Sequence, residues 1–334
     1  MNMSIYLSTA LWLISLKNGG FMNSDFIEAL KSKDLAKIRK ISKSDLHNHA
    51  PRGGNKRYIE EWKGIKIPDA PIFKNLNEMN DWNLKNIKPF IKGVKGYEKR
   101  IEAAFVQANM DGVRLLNMSF NIDEVSEYAN SVENMINSLK KIHLKFAPNT
   151  VFIPEIALGS YMDTDEVNEK LNEFLHYNYF KSIDIYGDEN NLFKFKKVFK
   201  KANDNGLILK AHVGEFGCAE LVQRVVEELE LNQVQHGISA ANSKSVMKWL
   251  ANNKIQLNIC PTSNIYLSRV ENYSKHPIRK LYDNGVKVTV NTDDMIIFDK
   301  SVSEEFLNLY NAGVFNCEEL NEIRENGLKL LHNV

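Results

Sequence analysis

The sequence predicts an α/β protein folded as a single (β/α)8 TIM barrel. Three observations predict it. Strand-like and helix-like stretches alternate from about residue 100 to residue 291, the strand-like stretches number eight in all, and polar or metal-binding residues stand at the C-terminal ends of six of them. Eight strand–helix repeats close on themselves in a barrel of roughly 250 residues, whose chemistry is built at those strand ends. A doubly wound open sheet is the competing architecture. It is disfavoured because no Gly-x-Gly-x-x-Gly follows any strand-like run.

The elements follow in order. Ser24 or Asp25 caps a helix running to residue 40, with Phe26, Ile27, Leu30, Leu35 and Ile38 at roughly helical spacing. The first strand is placed at 41–47. Residues 50–100 combine prolines with Trp62, Trp82 and Phe90 in broken helical patterns, a long excursion of the kind from which barrels build substrate pockets. Helix-like 98–110 then leads to a strand at 112–120, 123–146 to 150–156, 164–178 to 182–186, and 190–205 to 207–212. The last three pairs are 218–230 with 233–236, 242–252 with 256–260, and 276–284 with 286–291. No linker or low-complexity segment interrupts the rhythm, so residues 22–334 are expected to form one catalytic domain.

Residues 1–21 are read separately. Their apolar core, Ala10 to Ile14, resembles a signal peptide, but no Lys or Arg precedes it and no clean cleavage site follows. It is too short to span a bilayer. Asn18-Gly19-Gly20-Phe21 precedes Met22, and Gly-Gly can be encoded by a ribosome-binding sequence, so residues 1–21 are expected to be a non-native extension and translation to begin at Met22.

Of the 334 residues, 43% are hydrophobic and 25% charged, the composition of an ordinary globular protein. Lys plus Arg (43) nearly balances Asp plus Glu (42), leaving a net charge of +1 and no electrostatic reason to expect nucleic acid or a membrane as partner. Three widely spaced cysteines, Cys218, Cys260 and Cys317, form no disulfide framework and suit a reducing, cytoplasmic setting.

The strand ends carry the chemistry. His47 and His49 stand two apart, so on a strand they share a face. His212 and Asp293 end later strands, and three imidazoles with one carboxylate suit a single Zn²⁺ plus a water. Such a metal lowers the pKa of its water toward neutrality. His236 is a candidate base or orienter for that water, Glu215 is placed to move protons, and Asp294 is a candidate hydrogen-bonding partner of the substrate. A lone strand-end histidine is usually a satisfied structural side chain, and an Asp-Asp pair is usually a cap or turn. Those bland readings lose here because the barrel brings all its strand ends to one mouth. Cys260 is read as a small buried residue. The remaining histidines, His143, His176, His276 and His332, fall in helices or at their edges.

The stretches Leu46-His-Asn-His49, Asp184-Ile-Tyr-Gly-Asp-Glu189, Ala211-His-Val-Gly-Glu215, Gln235-His-Gly237, Cys260-Pro-Thr-Ser-Asn264 and Val290-Asn-Thr-Asp-Asp294 together resemble the motifs of the adenosine deaminase family of metal-dependent hydrolases. They span about residues 44–310 in the family's order. The resemblance implies a (β/α)8 barrel of the metal-dependent hydrolase type, one zinc per chain, and hydrolytic deamination of a 6-aminopurine nucleoside. Position by position, it implies that His47, His49, His212 and Asp293 bind zinc and that Glu215 protonates purine N1. It further implies that His236 orients and deprotonates the attacking water, that Asp294 holds the water or the N7 edge, and that the Gly187 N–H contacts the ring. No lysine ends the strand at 182–186, which argues against a second metal bridged by a modified lysine.

One departure bears on substrate. Where the family usually continues Leu-Asp-Gly after the histidine pair, this chain has Ala50-Pro51-Arg52-Gly53-Gly54. Arg52 suits a phosphate or carboxylate, and two glycines allow backbone N–H groups to approach an anion. A solvent-facing Arg52 is the plainer alternative. The expected partner is thus a small purine nucleoside or nucleotide: adenosine first, AMP or an N6-substituted AMP as runner-up. A catalytically silent purine-binding protein is the reading from another class, and the intact set of ligands with Glu215 argues against it.

Overall fold

The computed structural model describes residues 23–332, so the expectation about residues 1–21 and a start at Met22 lies outside the described residues. Eight parallel strands run in the order of the chain: β1 (Lys43–His49), β2 (Val113–Asn121), β3 (Val151–Gly159), β4 (Ser182–Tyr186), β5 (Ile208–Val213), β6 (Gln233–His236), β7 (Gln256–Ile259) and β8 (Lys287–Val290). Each strand from β1 to β7 pairs with the next. The seam between β8 and β1 is closed more sparingly. One parallel bridge joins Asn48 to Asp293, the Asp293 N–H donates to His47 O at 2.9 Å, and the Leu46 N–H donates to Asn291 Oδ1 at 2.7 Å. The helix Cys317–Leu328 packs against both β8 and β1; a Cβ on Gly327 would stand 1.9 Å from Ser44 Oγ.

Strands covered on both faces read as continuous apolar runs, and the outward positions here obey that rule: Leu116, Ile183, Leu209, Ala211, Val234, Leu257 and Val288 join the main core. The inward positions do not. Lys210 Nζ lies 3.0 Å from Glu155 Oε2, donates to Leu46 O at 3.1 Å and also donates to Asn117 Oδ1. Asn258 bonds Gln233, Gln235, Gln256 and Thr289. A buried polar network of this kind holds only when its members are paired, and it then fixes the strands it joins.

The expected elements shift in places. β1 begins and ends two residues later than 41–47, because pairing with β2 continues to His49 opposite Ser119. The helix expected over 23–40 is two helices, 23–31 and Leu35–Lys40, broken where Lys33 takes φ 54° and Asp34 caps the second through the Lys37 N–H. The helix expected over 123–146 begins only at Val132, after Ala129 and Asn130 adopt left-handed φ of 54° and 58°. In the 50–100 excursion, helices Lys56–Lys63 and Leu76–Asn86 form a small second core over the barrel mouth with Ile296, Ile297 and Phe298. No helix among the described residues is long and apolar enough to cross a membrane.

Candidate active site

β1, β5 and the end of β8 deliver four donors to one point. His47 Nε2 and His212 Nε2 lie 3.1 Å apart, His49 Nε2 is 3.1 Å from Asp293 Oδ1, and His47 Nε2 is 3.7 Å from the same oxygen. Donors about 2.0–2.1 Å from a tetrahedral zinc stand roughly 3.3 Å from one another. Each opposite ring atom faces a polar neighbour. His47 Nδ1 faces Asn258 O and Cys260 Sγ, each at 3.3 Å, His49 Nδ1 faces Ser119 Oγ at 2.8 Å, and His212 Nδ1 faces Asp184 Oδ2 at 3.0 Å. Partners on Nδ1 leave each Nε2 lone pair for the shared point, the arrangement that orients imidazole ligands. Ser263 Oγ donates to Asp293 Oδ2 at 2.7 Å and leaves Oδ1 to the cluster. Burial alone would strip protons from His49, yet its hydrogen bond to Asp293 and the charge of Asp294 push it up to about 9. The donor set and its spacing fit a zinc ion.

Asp293 and His236 both hold φ of 62°, a conformation rare for residues with side chains and sustained where surrounding structure over-determines it. His236 is buried, with Nε2 3.6 Å from Glu215 Oε2 and 3.8 Å from Asp293 Oδ2. Glu215 sits in the turn after β5. Burial first, and then Asp293, raise its pKa well above the ordinary carboxyl range, and its Oε1 is buried without a hydrogen-bond partner. That turn wraps around another carboxylate: the N–H groups of Gly214, Glu215, Phe216 and Gly217 donate to the two oxygens of Glu189 at 2.7, 3.1, 2.8 and 3.1 Å. Gly214 takes φ 76°, and a Cβ on Gly217 would lie 2.5 Å from Glu189 Oε2.

A cavity of about 470 Å³ opens over these groups. His49, His212, Glu215, His236, Asp293, Asp294, Arg52 and Gly187 all line it, with Leu76, Met79 and Asn80 of the overlying helix. Arg52 is not the solvent-facing residue of the plainer alternative. Its Nε donates to Asp294 Oδ1 at 2.9 Å, its Nη1 reaches Asn80 at 3.4 Å, and its carbonyl accepts from the Ile296 N–H at 2.7 Å. Burial raises the Asp294 pKa, Arg52 pulls it back, and Asp293 adds to the rise. The expected anion cradle at Gly53-Gly54 does not form. The Gly53 N–H is spent on His49 O, a Cβ on Gly53 would overlap the Asn48 side chain, and one on Gly54 would meet Ala103. Gly187 takes φ 112°, with Ser160 Oγ 2.5 Å from where a Cβ would stand.

Several members of the site have no role assigned from the sequence: Asp184, Glu189 and Asn264, which stand inside the quoted motifs, and Ser119 and His276. Asp184 and Glu189 carried a signal, since both flank the polar end of β4. Ser119 and His276 carried none, because their importance arises from neighbours 70 and 12 residues away.

A closed parallel barrel with imidazoles and carboxylates gathered at the C-terminal mouth defines the class of (β/α)8 hydrolases. The family model for adenosine deaminase matches residues 128–331. The putative adenosine/adenine deaminase of Treponema pallidum is 31% identical over 285 residues, 84% of this chain and 95% of that protein. The chain belongs to the adenosine deaminase family, whose members hydrolyse purine amines. Among solved structures, adenine deaminase from Arthrobacter aurescens superposes with a TM-score of 0.74 at 22% identity, covering 86% of this chain and 92% of that one. A zinc-bound amidohydrolase from Burkholderia ambifaria does so with a TM-score of 0.71 at 19% identity, covering 87% and 85%. At those identities the two structures establish a shared fold.

Proposed function

We propose that the protein is a zinc-dependent aminohydrolase that converts adenosine, or a close 6-aminopurine relative, to the inosine-type product and ammonia. One observation carries the reading: His47, His49, His212 and Asp293 converge on the floor of a cavity that also holds the buried, unpartnered carboxyl oxygen of Glu215. His47, His49, His212 and Asp293 would hold the ion, which would supply the Lewis acidity that lowers the pKa of a water toward neutrality. The remaining work falls to side chains. Aromatic C6 resists attack until N1 is protonated, and Glu215, its proton retained by burial, delivers that proton. His236 orients the attacking water from the neighbouring strand end. Asp294 bonds the water or the N7 edge, and the Gly187 N–H meets the ring. Attack yields a tetrahedral C6, from which ammonia departs. The catalytic unit is one barrel domain within residues 22–334. The three free cysteines suit a cytoplasmic setting, and the partner is a small purine, not nucleic acid or membrane.

The test is ammonia release from adenosine, deoxyadenosine, adenine, AMP and N6-methyl-AMP by the zinc-loaded protein. Silence on all five abandons the reading in favour of a catalytically silent purine-binding protein.

A nucleotide substrate is the second reading, and Arg100 favours it. This guanidinium lines the cavity, as do Lys88 and Glu124, whose charge acts on it; it stacks over Tyr97 at 5.2 Å and has a buried Nε with no hydrogen-bond partner. A charge-assisted contact is worth roughly 1.5–3 kcal/mol. On this reading Arg100→Gln lowers kcat/KM for AMP by about tenfold or more while adenosine turnover stays within about threefold.

A further inference from the structure

The mouth of the cavity has two facing sides. In a closed ring of eight strands β5 stands four places from β1, so the turn after β5 and the loop after β1 face each other across it. Glu215 belongs to the turn and Arg52 to the loop, while Asp294, just past the end of β8, lies on the side of Arg52. A 6-aminopurine with N1 at Glu215 and C6 deepest, over the clustered histidines, is thereby oriented. Its imidazole ring points to the β8–β1 side, with N7 the deeper nitrogen and N9 the one nearer the opening. N7 bears a lone pair and no proton, so it calls for a donor. Arg52 is a donor on that side, since a guanidinium carries five N–H groups and no acceptor. Its Nε is spent on Asp294 Oδ1 at 2.9 Å, and its Nη1 reaches Asn80 Oδ1 at 3.4 Å. Nη2 makes no hydrogen bond among the described residues, and the side chain lines the cavity with 24% of its surface exposed. The backbone is held as well, because the Arg52 carbonyl accepts from the Ile296 N–H at 2.7 Å. A side chain fixed at both ends before a ligand arrives loses little freedom on binding it.

We infer that Arg52 is a specificity-determining residue whose guanidinium donates to purine N7, so that the site selects purines in which N7 is present and unsubstituted. This rests on the deaminase reading and deepens it. The N7 edge goes to Arg52, and Asp294 becomes the group that aims the guanidinium through Nε. Arginine suits this task better than lysine, because its planar fork can bond Asp294 with one N–H and the ligand with another in a fixed geometry. The same contact takes Arg52 out of phosphate recognition, which the nucleotide reading leaves to Arg100. A brace that merely ties Asp294 to the overlying helix through Asn80 would serve every purine alike, and that difference makes the two roles separable.

Two measurements test the inference, both with analogues in which C–H replaces N7. The first needs no turnover: calorimetric binding of inosine and 7-deazainosine to the zinc-loaded wild type. Loss of a hydrogen bond from a charged donor should weaken the 7-deaza compound about 10–10²-fold. Equal affinity, within about threefold, overturns the inference. The second is kinetic and compares kcat/KM for adenosine and 7-deazaadenosine in the wild type and in Arg52→Met. The two purines differ in intrinsic reactivity, and comparing their ratio between the two proteins removes that difference. The ratio should fall by about 10–10²-fold in Arg52→Met, because the variant loses rate on adenosine that it never had on the analogue. Equal losses on both substrates leave the ratio unchanged, identify a brace and overturn the inference. If Arg52→Met does not fold, Arg52→Lys, which keeps the charge and loses the fork, gives the same comparison. Selective binding of inosine by a protein that releases ammonia from no purine refutes the deaminase reading and leaves the N7 contact standing. Ammonia release with an unchanged ratio does the reverse.

Discussion

Glu215 and Glu305 are both buried carboxyls, and their surroundings assign them different work. Glu215 lines the cavity with an unpartnered oxygen, so Glu215→Gln should keep its zinc content by metal analysis while kcat falls by about 10²–10⁴, the range for a lost proton-transfer group. Glu305 is fully buried away from the cavity, accepts the Thr262 N–H at 3.1 Å, and burial pushes its pKa from 4.5 up to about 8. A carboxyl that keeps its proton longer when folded stabilises the fold below its unfolded pKa, and that contribution is lost as pH rises through the folded value. Between about pH 5 and 8 the protein should therefore lose stability from this site. Glu305→Gln, which never ionises, should match the wild-type Tm at pH 5 and exceed it at pH 9 in a thermal melt. At this scale the sequence was most legible for residues that chemistry singles out by type. Three histidines and an aspartate at strand ends pointed to a candidate cation site, and the fold brings them together. His276 did not, since a histidine at a helix edge looks the same whether it faces solvent or is buried against Asn264.

At the scale of elements, the turn 214–217 is the instructive case. Four consecutive N–H groups close on Glu189, which stands three residues past the end of β4. Charge-assisted bonds of this kind are stronger than neutral ones, and a glutamine in the same place must point an N–H₂ at donors. Glu189→Gln should lower kcat by about 10–10² through misplacement of Glu215, with faster amide exchange at residues 214–217 and little change in the helix Ala219–Leu229. The sequence displayed Asp188-Glu189 and the glycines at 214 and 217, yet not that they belong together. Alternation of strands and helices was legible because period 2 and period 3.6 are local properties. The breaks at Lys33 and at Ala129-Asn130 were not, because a left-handed backbone at a non-glycine residue is imposed by its neighbours. β1 was located two residues early for a related reason: Lys-Ser-Asp-Leu-His-Asn-His is almost wholly polar, and only a polar barrel interior lets such a segment be buried throughout.

For the molecule as a whole, barrel topology could be read from the count of repeats, but the manner of closure could not. The four proposed ligands come from β1, β5 and the end of β8, so an ion held by them ties the two ends of the sheet together. Binding to the folded state alone stabilises by about 4 kcal/mol at a free concentration 1,000 times Kd. Zinc added to chelator-treated protein should raise Tm by several degrees in scanning calorimetry, and His49→Ala should abolish most of that rise; an unchanged Tm in the wild type would count against a structural contribution from the ion.

The sparing closure between β8 and β1 has a practical corollary. Strand edges that part expose rows of unpaired backbone groups, which recruit other chains. Purification or storage in strong chelators should accordingly favour clumping, with the first intermolecular contacts forming along β1 and β8, and light scattering during dialysis against EDTA would reveal it.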